Sequence, residues 1–190
     1  YRTRAPRYLY HALIFGALTY YSYAPGQLVI VVTGLGLLLS DFRYHWENRQ
    51  VGVRGAALIL LFTLPYLRFH LTHPGAFEEN LRESSSYLVG NYTALEKTQL
   101  FLKEYLTGLN PAYWYFKNNI DIPRHIMNGY GNIFWITLPF AALGLIQGLK
   151  LVKSPAWRVI LIGLLASPIG AAVAGLGVTR ALFLLSPLRY

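Results

Sequence analysis

Five stretches of the chain are almost entirely apolar, and polar or Pro- and Gly-containing segments separate them. They cover approximately residues 8–23, 28–40, 51–67, 133–149 and 157–178. About 20 helical residues cross a ~30 Å hydrocarbon core, so all but the second stretch approach spanning length. The second, as a span, would tilt or thin the bilayer locally. The pattern predicts an all-α polytopic membrane protein with about five transmembrane helices.

The polar segment after the third stretch is too long to be a simple connection. It divides the chain into three transmembrane helices in residues 1–67, a loop in residues 68–131, and two transmembrane helices with an outer C-terminal segment in residues 132–190. Within the loop, residues 93–109 alternate at helical spacing and predict an amphipathic helix, whose apolar face rests on the spans or in the headgroup region. Its apolar positions are Leu95, Leu100, Phe101, Tyr105 and Leu106, and its charged positions are Glu96, Lys97, Lys103 and Glu104.

The distribution of Lys and Arg predicts the orientation, because cationic loops are retained on the cytoplasmic side. The N-terminal tail and the second and fourth connections together hold nine Lys and Arg against two acidic residues. The loop of residues 68–131 holds six cations and six acids. We therefore predict an integral membrane protein with a cytoplasmic N-terminus and an extracytoplasmic loop, in a bacterial or archaeal plasma membrane.

Composition agrees with a lipid environment. Hydrophobic residues make up 54% of the 190 positions and charged residues only 13%, against roughly 25% charged in a soluble domain. The net charge of +9 comes from cations at the ends of apolar stretches, so the expected partner is the lipid bilayer and not nucleic acid. The absence of cysteine excludes disulfides and thiolate-ligated metals.

Several kinds of chemistry lack their usual residues. The five apolar stretches contain no Asp or Glu, which disfavours proton-coupled transport. His70, His73, Glu78 and Glu79 lie close in sequence but do not match a zinc-binding spacing. We expect no metal and no cofactor.

The most distinctive stretch is residues 110–131, which is aromatic and punctuated by Pro and Gly. Arg124 and His125 lie in it, between the aromatic residues 113–116 and the segment 129–131, directly before the fourth apolar stretch. Arg180 follows the fifth stretch in a similar position. Each Arg is a candidate for binding a lipid phosphate, with His125 sharing a proton or donating to an oxygen. The alternative is that these residues anchor the chain at the membrane interface.

Small residues recur at every fourth position in the last two apolar stretches, where they let helix backbones approach closely. Pro139 and Pro168 lie inside the same stretches and predict kinks. The small residues are Gly144 and Gly148 in the fourth stretch, and Gly163, Ser167, Ala171 and Gly175 in the fifth.

Three segments carry a family resemblance. Residues 16–25 read GALTYYSYAP, a span that ends in a Tyr-x-Tyr step; residues 105–131 contain NP, YFK, RH and GYG in that order; residues 167–187 run from SP through TR to a final Pro. Together they resemble the middle to C-terminal part of GT-C type polytopic membrane glycosyltransferases, the relatives of protein O-mannosyltransferases and of the aminoarabinose transferase that modifies lipid A.

The resemblance implies inverting transfer of a sugar from a polyprenyl-phosphate donor to an extracytoplasmic acceptor. It also implies that Arg124, His125 and Arg180 contact the donor phosphate. In that family a carboxylate of the first outer loop is the general base, but the corresponding residues 23–28 contain no acid. The catalytic residues are therefore left unassigned, and we expect the chain to be a segment of a longer enzyme that is inactive alone. The alternative is a non-catalytic structural subunit that packs on neighbouring membrane subunits.

Overall fold

The structure of the protein is a computed structural model, and it describes residues 5–121, 125 and 129–177. Over these residues the fold is all α-helical and contains no strand. Short 3₁₀ turns occur at Tyr87–Val89 and Trp135–Thr137. The α-helices described are α1 (Pro6–Ser22), α2 (Ala24–Ser40), α3 (Phe42–Glu47), α4 (Arg49–Thr72), α5 (Ala76–Glu83), α6 (Ala94–Leu109), α7 (Pro111–Tyr115), α8 (Leu138–Lys150) and α9 (Pro155–Ala174).

Two of these helices, α4 and α9, are long and apolar enough to cross a membrane by length and composition. The helix α2 and the segment Trp135–Lys150 are apolar but shorter. Large apolar side chains on the outside of α1, α2, α4 and α8 are exposed, including Phe15, Leu39, Leu60 and Phe140. Helices that are apolar on their outer faces are suited to a lipid environment. The predicted all-helical class is confirmed, and the number of spans stays a prediction.

The helix α9 packs against α2, α6 and α8. At its C-terminal half, Gly170 approaches α2 so closely that a Cβ there would overlap the carbonyl of Pro25. At its other end, Nη2 of Arg158 lies 3.1 Å from Oδ2 of Asp41, just after α2 ends. Because the end of each helix meets the beginning of the other, α2 and α9 run antiparallel.

The helix α1 joins α4 to this arrangement. A Cβ on Gly55, near the start of α4, would lie 3.2 Å from Leu13 of α1. Further along both helices, the Tyr21 hydroxyl donates to the carbonyl of Phe62 at 2.5 Å. The helices α1 and α4 therefore run parallel, while a Cβ on Gly16 would lie 3.6 Å from Ile30 of the antiparallel α2.

The predicted stripe of small residues is confirmed only in part. Ser167 and Ala171 are buried, but a Cβ at Gly163 or Gly144 would meet no atom within 4 Å. The stripe spans both open and packed turns of its helices, because burial depends on where α2 and α6 cross α9.

The two prolines also differ from each other. Pro168 lies inside α9 and is fully buried. Pro139 lies in the first turn of α8, where a missing N–H removes no helical hydrogen bond. The expectation that Pro139 lies in a helix interior and kinks it is wrong, since α8 begins later than the apolar stretch does.

Candidate functional site

The helix α6 organises the segment that carries the candidate site. It begins with a capping box: the Thr93 N–H donates to Oε2 of Glu96 at 2.7 Å, and the Glu96 N–H donates to the Thr93 hydroxyl at 3.3 Å. Hydrogen bonds from the Thr93 backbone and hydroxyl lower the pKa of Glu96. The predicted helix over residues 93–109 is confirmed, with Thr93 as its N-cap.

The apolar residues of α6 divide between two faces. Tyr105 donates its hydroxyl to the carbonyl of Leu165 in α9 at 2.9 Å, and a Cβ on Gly108 would lie 2.8 Å from Pro168. Leu95 and Leu106, which the periodicity places on the apolar face, are exposed. One face of α6 thus packs on α9, while the leucines lie elsewhere on the helix surface.

Side chains of the loop bind the C-terminal end of α9. The Ser86 hydroxyl donates to the carbonyl of Val173 at 2.6 Å, and the Tyr87 hydroxyl donates to that of Ala172 at 2.8 Å. These bonds satisfy carbonyls that have no partner within a helix end. Burial, followed by the charge of Glu104, raises the pKa of Tyr87 to about 12.

Glu104 lies at the same junction. Its Oε2 accepts a hydrogen bond from the Leu176 N–H at 2.8 Å, just past the end of α9. The sequence pattern places Glu104 on the charged face of α6, and the structure shows that this face meets the chain after α9. The end of α9 is therefore bound by side chains from two separate segments, residues 86–87 and α6.

The aromatic residues of α7 form the core of this region. Asn110 caps α7 by accepting from the Ala112 N–H at 2.9 Å. Tyr113, Trp114 and Tyr115 are only 3%, 2% and 8% exposed, and they pack with Ala171 of α9. Tertiary packing therefore covers these three aromatic side chains, which the sequence pattern alone does not indicate.

A buried carboxylate lies beside this core. Asp121 is 5% exposed. Its Oδ1 accepts from the Tyr113 hydroxyl at 2.9 Å, and its Oδ2 accepts from Nδ2 of Asn132 at 3.1 Å. Burial, and then the hydrogen bond to Asp121, raise the pKa of Tyr113. The network joins α7 to residues that precede α8.

Backbone contacts join the same two segments. The Ile133 N–H donates to the carbonyl of Trp114 at 2.7 Å. Gly131 lies directly on the backbone of Tyr115, and a Cβ there would overlap it. Residues 115–117 and residues 129–135 are thus held side by side, and we call them the first and second walls.

A cleft of about 580 Å³ lies between the two walls. Four of its aromatic side chains are exposed, and Lys117 is the cation among the described residues that line it. Exposed aromatic surface beside a flexible cation suits a ligand that has both an apolar part and an anionic group. The lining residues are Tyr115, Phe116, Lys117, Gly129, Tyr130, Gly131, Ile133, Phe134 and Trp135.

The structure places one of the three predicted phosphate contacts. His125 is partly buried and is not among the described residues that line the cleft. Arg124 and Arg180 lie outside the described residues. The predicted contacts of all three with a lipid phosphate stay predictions.

Sequence reasoning missed Lys117 and the network of Asp121. In the sequence, Lys117 is indistinguishable from any other loop cation. Its place in the cleft depends on residues 129–135, which return alongside it in the fold. Asp121 gave a weak signal, as an acid within an aromatic segment, but its burial depends on Asn132, 11 residues further along the chain.

Comparison with protein-family models, with curated proteins and with solved structures found no match to this chain.

Proposed function

We propose that this chain is the membrane portion of a glycosyltransferase that uses a polyprenyl-phosphate sugar donor, and that the cleft between the two walls receives this donor. The observation that carries the proposal is the pairing of Lys117 with exposed aromatic side chains in one cleft. A polyprenyl phosphate has the matching chemistry, an apolar chain attached to an anion.

Two of the three predicted phosphate contacts belong to the connection between the two walls. Lys117 ends the first wall and Gly129 begins the second, so the residues between them are tethered to the cleft at both ends. Arg124 and His125 belong to this connection. We propose that they supplement Lys117 at the phosphate, and that Arg180 contributes from beyond α9.

The chemical role of these cations follows from the reaction. Transfer of the sugar leaves a polyprenyl phosphate on which negative charge develops, and cations placed at that charge stabilise the transition state. We do not assign the general base among the described residues. Both oxygens of Asp121 accept hydrogen bonds from neighbouring side chains, so we give that carboxylate no catalytic role.

The proposal is tested by titrating the purified protein in nanodiscs with a polyprenyl phosphate. Wild type is compared with Lys117→Ala, Arg124→Ala and Arg180→Ala, and the matched control is Lys153→Ala, an exposed lysine beyond α8. A charged hydrogen bond is worth about 1.5–3 kcal/mol, so each test variant should bind about tenfold more weakly or worse. The control should bind as wild type does.

A second ligand separates phosphate recognition from partition of the chain into lipid. The matching polyprenol has the same apolar chain and no phosphate, and we expect it to bind all variants equally weakly. No phosphate-dependent binding by wild type would contradict the proposal and favour the structural-subunit function instead. Equal weakening by Lys153→Ala would show that only net charge matters.

A further inference from the structure

The carboxylate of Asp121 connects the two walls of the cleft without lining it. One oxygen accepts from Tyr113, two residues before the first wall, and the other accepts from Asn132 within the second wall. Nδ2 of Asn132 also lies 3.4 Å from the carbonyl of Tyr113. The walls are distant enough in sequence that nothing local imposes this register.

The same carboxylate stands at the start of the connection between the walls. Asn118 binds back to α7 by donating its Nδ2 to the carbonyl of Tyr113 at 3.0 Å. Asp121 then returns the chain to the hydroxyl of the same tyrosine. Tyr113 is thus bound at both its backbone and its side chain, and the connection that carries His125 leaves from a fixed point.

We propose that Asp121 is a positioning residue, which sets the spacing of the two walls by accepting hydrogen bonds from Tyr113 and Asn132. Its role is to receive two donors at once. The spacing of the walls is a property of the chain itself, and only its effect on the donor rests on the proposed function.

Two substitutions at this position separate hydrogen bonding from charge. Asp121→Ala removes both acceptors, so the buried Tyr113 hydroxyl and the part-buried Nδ2 of Asn132 each lose this hydrogen-bond partner. Asp121→Asn keeps one oxygen for Asn132, and its new NH₂ donates to the Tyr113 hydroxyl, which can accept as well as donate. The asparagine variant therefore keeps the connection while losing the charge.

The test is hydrogen exchange at the Ile133 amide in the purified protein, because this amide bonds to Trp114 across the walls. We expect exchange at least tenfold faster in Asp121→Ala, and within threefold of wild type in Asp121→Asn. Tyr113→Phe should also accelerate it. The matched control is Tyr87→Phe, which removes a comparable hydroxyl bond at the end of α9 and should leave Ile133 unchanged.

Unchanged exchange at Ile133 in Asp121→Ala would overturn the proposal, and so would equal acceleration by the asparagine variant. If Asp121→Ala unfolds the chain, seen as lost protection throughout α4, then Tyr113→Phe against Tyr87→Phe decides by the same criterion. Binding of polyprenyl phosphate is measured on the same variants. Exchange as expected with no binding by wild type would refute the proposed function and leave the positioning role standing.

Discussion

At Gly131 the second wall of the cleft packs directly against the backbone of the first wall. A Cβ on Gly131 would lie 2.4 Å from the carbonyl carbon of Tyr115, so this contact leaves no room for a side chain. A backbone contact of this kind is less forgiving than contact with a flexible side chain, because relief requires one whole segment to move. The cleft therefore depends on a residue that contributes no side chain of its own.

Substituting Gly131→Ala should force the walls apart. Overpacking at a fixed contact costs about 1–3 kcal/mol, so the thermal midpoint in detergent should fall. The matched control is Gly144→Ala in α8, where a Cβ would meet no atom within 4 Å and where removing a helical glycine stabilises by about 0.5–1 kcal/mol. Equal midpoints for the two variants would contradict the packing described at Gly131.

Glu96 provides a residue-scale expectation for pH. Its pKa is lowered by the hydrogen bonds from Thr93, so its contribution to helix stability is present above the unfolded pKa and is lost as pH falls through the lower folded value. We expect a carboxyl titration followed by NMR to give Glu96 a pKa below 4.5, the ordinary pKa of a glutamate. Thr93→Ala should raise the value only partly, because the backbone N–H remains. A wild-type value at or above 4.5 would show that the capping box does not form.

At the scale of elements, α9 is organised by where its neighbours cross it. Residues 166–168 and 170–172 are buried, whereas Gly163 faces open space. Gly163 and Gly170 have the same intrinsic helix propensity, so only tertiary contact distinguishes the two positions.

This difference makes a paired test within one helix. Gly170→Ala should push α2 away, since its Cβ would overlap the carbonyl of Pro25, and the thermal midpoint should drop clearly. Gly163→Ala should leave it unchanged or raise it slightly. If Gly163→Ala lowers the thermal midpoint more than Gly170→Ala does, α9 presents a different face to α2.

The elements were more predictable from the sequence than their faces were. Long apolar stretches and the helical spacing of residues 93–109 predict the helices, because both signals are local. The face of α6 that packs could not be predicted, since Tyr105 and Leu106 both fit the apolar pattern and only the position of α9 decides that Tyr105 makes the contact. For the same reason the sequence indicates an aromatic segment at 113–116 but not its burial, nor the cleft that its fold-back creates.

At the scale of the whole molecule, α2 runs antiparallel to α9, and α1 runs parallel to α4. The cation-rich segments at the starts of α4 and α9 and at the end of α2 therefore lie at one end of the helices. The pair of Arg158 with Asp41 lies at that end. The loop with the cleft packs at the C-terminal end of α9. Which of these two ends is cytoplasmic stays a prediction from the charges.

The absence of cysteine allows a direct test of this orientation. Gln50 lies in the first turn of α4, and Asn80 lies in α5, past the C-terminal end of α4. Both residues are exposed and uncharged, so replacing them leaves the cations unchanged. In intact cells an impermeant thiol reagent should label Asn80→Cys, and should label Gln50→Cys only after permeabilisation. The reverse result would invert the topology, and labelling of both in intact cells would mean that α4 does not span.

The most direct test of the central claim is photo-crosslinking of the purified protein in nanodiscs with a photoreactive polyprenyl phosphate, followed by peptide mapping. We expect labelled peptides from residues 115–117 and 129–135, with labelling suppressed by unlabelled polyprenyl phosphate but not by the polyprenol. Labelling confined to the outer surfaces of α1 and α4, or suppressed equally by both competitors, would contradict a phosphate-binding cleft.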